Sequence, residues 1–183
     1  MKLNNRRTIL VGLAFLSICT FWQMYDSVMT LILTDTFQLN ETFAGAIMAA
    51  DNVLALFLLP FFGALSDKTS TKIGRRMPFI VGGTAAAAVL MNLIPLLDDR
   101  YAANPAPGTL VLFIVVLGLL LVSMGTYRSP AVALMPDVTP KPLRSRANAI
   151  INLMGAVGGI LYLGLAAVLY PASKTKGLAH VSY

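Results

Sequence analysis

Apolar residues run along the chain in five long blocks, Thr8–Leu33, Thr42–Leu65, Pro78–Leu97, Thr109–Met135 and Ala147–Tyr170, parted by short polar segments. None of the blocks alternates apolar and polar positions with the period of two that a barrel strand needs, so each is predicted to be a helix. A helix of about 20 residues crosses a hydrocarbon core about 30 Å thick, and every block reaches that length. The pattern predicts an all-α membrane protein in which residues 1–183 form one transmembrane domain of five helices.

Composition agrees. Hydrophobic residues make up 57% of the chain and charged residues 12%, about half the charged share of a soluble domain. Most of this surface must be solvated by lipid, which makes the bilayer the first partner. The net charge of +6 does not point to nucleic acid, because the basic residues sit in short clusters between the apolar blocks and form no aromatic-interleaved basic face. Ten of the 14 basic residues lie in three segments: Lys2, Arg6 and Arg7; Lys68, Lys72, Arg75 and Arg76; Lys141, Arg144 and Arg146. Successive spans place those segments on one side, which the bias for Lys and Arg identifies as cytoplasmic. The N-terminus is therefore expected in the cytoplasm of a multi-pass plasma-membrane protein, and the tail after Pro171 outside, with Lys174 and Lys176 as exceptions to the bias. Leu16-Ser17-Ile18-Cys19 faintly resembles a lipoprotein cleavage box, but Ile18 is bulky and the apolar run continues to Leu33. The first block is expected to stay in the membrane. Cys19, the single cysteine, has no disulfide partner in the chain.

The polar segment after the second block reads Gly63-Ala64-Leu65-Ser66-Asp67-Lys68-Thr69-Ser70-Thr71-Lys72-Ile73-Gly74-Arg75-Arg76-Met77-Pro78-Phe79. Pro78 suits the first turn of a helix, where its missing N–H costs little, and Asp67 is within reach of Arg75 or Arg76. A plain cytoplasmic loop accounts for the basic residues but not for the frame of Gly63, Asp67 and Gly74. That frame, with Lys68, Arg75 and Arg76, resembles the signature loop between helices 2 and 3 of the major facilitator superfamily. Asp67 and Gly74 stand four residues further apart than in the usual pattern. The longer form, running into Gly-Arg-Arg-x-Pro-Phe, is similar to the sucrose-transporter and glycoside–pentoside–hexuronide cation symporter branches. The stretch from Tyr127 through Arg128, Pro130, Pro136 and Asp137 to Arg144, Arg146 and Asn148 resembles the helix 4–5 region of those branches, and the first span with Trp22, Tyr25 and Asp26 is also similar.

The resemblance implies a twelve-helix transporter of two six-helix halves that works by alternating access around a central cavity, with Asp67 as a conformational latch against the second half. It implies a sugar or glycoside as cargo, coupled to a proton or sodium ion. Such a transporter rocks one half against the other. Five spans are expected to be an incomplete N-terminal half, lacking the C-terminal half as partner and inactive alone.

Three ionisable side chains fall within spans: Asp26, Asp51 and Arg128. A charge at the centre of a span costs about 2.5–3.5 kcal/mol on insertion scales, so such residues usually face a cavity or a partner. Asp26 and Asp51 are each expected roughly 10–14 Å below the outer surface. At matched depth, two carboxylates can share a proton or hold a cation. The plainer alternative is a neutral carboxyl bonded to a neighbouring helix. Arg128, nearer the cytoplasmic end, either binds a sugar hydroxyl or carboxylate or snorkels to the inner headgroups. Trp22, Asp26 and Met29 share a helical face. A sugar can stack on Trp22 while it bonds the acid, although such a tryptophan more often packs or faces lipid. In the fifth block Asn148, Asn152, Gly155, Gly159 and Tyr162 share a face, read first as helix packing through Gly155 and Gly159 and second as cavity lining. Pro60, Pro95, Pro130 and Pro136 are candidate kinks. With His180 alone in the tail, no metal cluster, cofactor motif or nucleophile constellation is expected, and enzyme activity has no support. The rivals to sugar uptake are an exporter or drug antiporter of the same superfamily, against which the long Asp67–Gly74 spacing speaks, and a non-transporting membrane subunit or sensor.

Overall fold

A computed structural model describes residues 5–72, 74–171 and 180–183, with only the backbone given for Asn5, Arg7 and Asp51. Among the described residues there are five α-helices: α1 (Asn5–Leu31), α2 (Glu41–Lys68), α3 (Met77–Ala103), α4 (Pro107–Val138) and α5 (Arg144–Leu169). All five are long and apolar enough to cross a membrane. Each contains the block the sequence pattern assigned to it, save for the last residues of the first and fifth, and most of the ends run further.

Local chemistry sets those ends. The Asn40 side chain accepts from Thr42 N at 3.1 Å, satisfying one of the amides that open α2. Pro78 occupies the first turn of α3 and Pro107 opens α4, where a missing N–H is harmless. α1 leads into a wider π turn, Ile32–Thr36, closed by Phe37 N donating to Ile32 O at 3.1 Å. Two expectations need correction. The apolar pattern ends the third block at Leu97, but Asp98, Asp99 and Arg100, which follow it, continue α3 as far as Ala103, because a helix stops where capping or sterics stop it and not where hydropathy falls. Asp137, Arg144 and Arg146, which lie between the fourth and fifth blocks and are expected in the cytoplasmic loop joining them, are helical: Asp137 is in the last turn of α4, the other two are in the first turn of α5, and only residues 139–143, with the 3₁₀ turn Lys141–Leu143, connect the helices.

The chain divides into two compact units, Met1–Asp26 with Ala131–Gly177, and Ser27–Pro130 with Leu178–Tyr183. In the first unit, Val11, Met135, Ala147 and Ile151 form a buried cluster flanked by Phe15 and Leu134. α5 approaches α1 through small residues. A Cβ on Gly155 would stand 2.9 Å from Cys19 Sγ, and one on Gly158 would collide with Leu16 O and lie 2.8 Å from Thr20 Oγ1. The Thr20 hydroxyl fills this approach, 2.8 Å from Leu16 O and 3.0 Å from Gly158 O. Gly159, expected to share the contact, sits one position round the helix, and a Cβ there would meet only Gln23 Oε1 at 3.8 Å.

A second contact in this unit joins the end of α4 to the start of α5. The carbonyl of Pro136 would receive the amide of residue 140 if α4 ran on, but that residue is Pro140 and has no N–H. Arg144 supplies the donor instead, its guanidinium reaching Pro136 O at 2.8 Å and Thr139 O at 3.2 Å.

In the second unit, Phe37 lies against Tyr101 and Phe113 with ring centroids 4.3 and 4.6 Å away. The buried side chains here include Ile32, Leu33, Met91, Ile94, Leu97, Leu117, Leu120 and Met124. α3 meets α4 at Gly83, where a Cβ would stand 2.9 Å from Tyr127 N. Outward-facing Leu56, Phe57, Phe61, Val81, Val89, Leu96, Val115 and Leu119 are exposed. So continuous an apolar surface suits lipid and not water.

Candidate functional site

The connection from α2 to α3 is the most structured polar segment of the chain. Near the end of α2, Ser66 is fully buried and its hydroxyl donates to Gly63 O at 2.8 Å. Thr69 Oγ1 donates to Leu65 O at 2.8 Å, occupying one of the carbonyls that end the helix. The chain then turns through Thr71 and Gly74: Gly74 N donates to Thr71 O at 3.0 Å, and Thr71 Oγ1 to Gly74 O at 2.6 Å. Gly74 has φ +105°, a conformation that a side chain at Cβ disfavours. This turn brings Arg76 back over the end of α2. Its guanidinium pairs with Asp67 Oδ1 at 2.9 Å and reaches Ser66 Oγ at 3.4 Å. The sequence left Arg75 or Arg76 open as the partner of Asp67. The structure selects Arg76, with 11% of its side chain exposed against 56% for Asp67, while Arg75 and Lys68 are exposed. The arginine is anchored and the acid is presented.

Gly63 has a separate reason to be small. Ser129, on α4, donates its hydroxyl to Leu59 O of α2 at 2.7 Å, and a Cβ on Gly63 would lie 3.0 Å from that hydroxyl oxygen. The glycine leaves room for an interhelical bond beside the loop. Sequence reasoning missed Ser129, since a serine in a membrane helix carries no sign of which carbonyl it will reach. Ser129→Ala is expected to cost about 1 kcal/mol, read as an earlier midpoint in unfolding by titrated dodecyl sulfate. An unchanged midpoint would remove the bond from the account of α2 and α4.

The intramembrane candidates are placed as follows. On α1, Tyr25 is buried, Trp22 and Asp26 are half-buried, and Met29 is buried. The rings of Trp22 and Tyr25 are 6.1 Å apart and tilted by 50°. Asp51 falls within α2, but its side chain lies outside the described residues. Arg128 is half-buried on α4. On α5, Asn148 and Asn152 are exposed beside the packed stripe of Ala147, Ile151, Gly155 and Gly158, so they are available to line a surface and do not pack in that seam.

A third polar group had no counterpart in the sequence reading. Asp98 and Asp99, in the last turns of α3, meet His180 of the tail: His180 Nε2 is 3.1 Å from Asp99 Oδ1 and 3.5 Å from Asp98 Oδ2. Ser182 Oγ donates to Asp99 Oδ2 at 3.1 Å, and Thr36 Oγ1 lies 3.4 Å from His180 Nδ1. With Asp99 and His180 81 positions apart, no local spacing announces the group.

Comparison with known proteins completes the description of the site. The family model described as Major Facilitator Superfamily matches residues 11–177. Among curated proteins, the chain is similar to Sucrose transport protein SUC3 of Arabidopsis thaliana, 30% identical over 152 residues that are 76% of this chain and 25% of that protein. It is similar to Sucrose transport protein SUC4 of Arabidopsis thaliana, 27% identical over 168 residues, 87% of this chain and 33% of the relative. It is also similar to the Uncharacterized symporter sll1374 of Synechocystis sp., 28% identical over 146 residues, 75% of this chain and 26% of the relative. The chain thus spans about a quarter to a third of the length of these relatives. No solved structure matches it.

Proposed function

The chain belongs to the major facilitator superfamily, and from that premise we propose that its helices open the first half of a secondary transporter that takes up a sugar or glycoside together with a proton or sodium ion. The N-terminus and the α2–α3 connection face the cytoplasm of the plasma membrane in this reading, supported by the basic residues gathered at those ends. The likeness to two sucrose transport proteins and a symporter supports the cargo and the coupling.

The observation that carries the reading furthest is the Asp67–Arg76 pair. The half-exposed carboxylate is held at 2.9 Å by an arginine that also reaches buried Ser66, which fixes the height and direction of one negative charge at the end of α2. A charge so presented is suited to engage the remaining half of the transporter in one conformation and release it in the other. Asp67 is in this account the latch, with Gly74 and Arg76 as its setting. Asp26 and Asp51 are the coupling candidates, because an ionisable group within a span is costly unless it is used. Trp22, Tyr25, Arg128, Asn148 and Asn152 are candidates for contact with the sugar.

The complete reading frame that contains this chain, expressed in cells lacking their own disaccharide uptake, is expected to accumulate labelled sucrose in a manner abolished by collapsing the proton or sodium gradient. Asp26→Asn and Asp51→Asn are each expected to lower gradient-driven uptake at least tenfold, with protein at the membrane unchanged. Full gradient dependence in both variants would remove the coupling role. Net extrusion of the sugar would favour an exporter. Abundant membrane protein that moves none of a panel of sugars and glycosides would end the sugar reading.

A further inference from the structure

We infer that Asp98, Asp99 and His180 form a binding site for a divalent transition-metal ion of the zinc class, an inference independent of the transport reading. All three residues lie in one compact unit, and one donor atom from each falls within 4.8 Å of the other two. The side chain of Asp98 is 0% exposed, and no hydrogen bond of standard geometry reaches either carboxylate oxygen, the Thr36 hydroxyl acting on the group only from longer range. A carboxylate in that state is costly, and it is held only by a cation or by taking up a proton.

The imidazole alone does not meet the need. Whenever Nε2 carries a proton, in the neutral ring or in the imidazolium, that one proton goes to Asp99 Oδ1, the nearer oxygen at 3.1 Å, Asp98 is left with the longer 3.5 Å approach, and even the imidazolium offsets only one of the two negative charges. In the tautomer that donates from Nδ1, toward Thr36 Oγ1 at 3.4 Å, the Nε2 lone pair faces two groups that only accept. A dipositive ion among the three atoms serves both carboxylates and the lone pair together, and balances two negative charges.

The spacing agrees. Ligands at metal distances of about 2.0–2.2 Å stand about 2.8–3.1 Å from one another in octahedral and about 3.3–3.6 Å in tetrahedral arrangements. Nε2 is 3.1 Å from one carboxylate and 3.5 Å from the other. Thr36 beside Nδ1 and Ser182 beside Asp99 Oδ2 occupy the outer positions that orient first ligands. One nitrogen with two oxygens favours zinc, cobalt or nickel over calcium and magnesium, which prefer oxygen throughout. With three protein ligands, a fourth position is left for water.

Cobalt(II), titrated into the tag-free chain in detergent, is expected to give visible ligand-field bands that saturate at one ion per chain and are erased by zinc. His180→Gln and Asp98→Asn are each expected to weaken binding at least tenfold, and Asp35→Asn to leave it unchanged. Should Asp98→Asn disturb folding, His180→Gln decides, because His180 lies in the tail with 27% of its side chain exposed. An absence of saturable bands would show an ion pair and nothing more. Bands that survive in His180→Gln would place the metal elsewhere. Either result overturns the inference.

Discussion

Gly158→Val is expected to destabilise the chain by about 2–4 kcal/mol, enough to lose much of the folded protein on solubilisation. The added side chain has no free volume to enter. A Cβ at this position already collides with the carbonyl of Leu16 and crowds Thr20 Oγ1 at 2.8 Å, and the first of these is backbone on another helix. The helices would have to separate, and the Thr20 contact to Gly158 O at 3.0 Å would go with them. Gly159→Val is the control. It adds the same bulk one residue later, where the nearest neighbour of a Cβ is a flexible glutamine oxygen at 3.8 Å, and is expected to cost less than about 1 kcal/mol. Unfolding by titrated dodecyl sulfate compares the two, and equal losses would refute the contact geometry.

Asp67→Asn is expected to act in the opposite way, leaving stability nearly intact and stopping transport. The carboxylate is more than half exposed, and exposed ion pairs contribute about 0–1 kcal/mol. Under the proposed latch role, its charge matters only while the transporter changes state. Transport by the complete protein should fall at least tenfold while the unfolding midpoint of the chain shifts little. If transport persists, the loop is only a basic anchor. If the protein unfolds instead, the pair belongs to the scaffold and not to the cycle.

The two substitutions mark what was legible in the sequence and what was not. The spans were readable because a bilayer accepts few backbone solutions, and a continuous apolar run of this length answers to one of them. The α2–α3 connection was readable for a different reason: Gly63, Asp67, Gly74 and the paired arginines stand at spacings that a merely basic loop does not need. Which arginine would hold Asp67 was not readable. The outcome depends on the turn at Gly74, whose φ of +105° swings Arg76 and not Arg75 over the helix end. The packing glycines were half readable. Small residues on one side of α5 predicted a close approach, but each residue turns the helix by about 100°, and the crossing geometry favours Gly158 over Gly159. Contacts between distant segments left no trace at all. Ser129 reaching Leu59 O and His180 reaching Asp99 are 70 and 81 residues apart, and a single sequence records neither.

The arrangement at the end of α4 bears on how this protein can change over generations. Arg144 stands in for the amide that Pro140 lacks, donating to Pro136 O. A lineage in which residue 140 becomes alanine regains that amide and frees the arginine to drift. A lineage that first loses the arginine leaves that exposed carbonyl to water until the proline is replaced. Positions 140 and 144 should therefore substitute as a couple among close kin, with the proline going first.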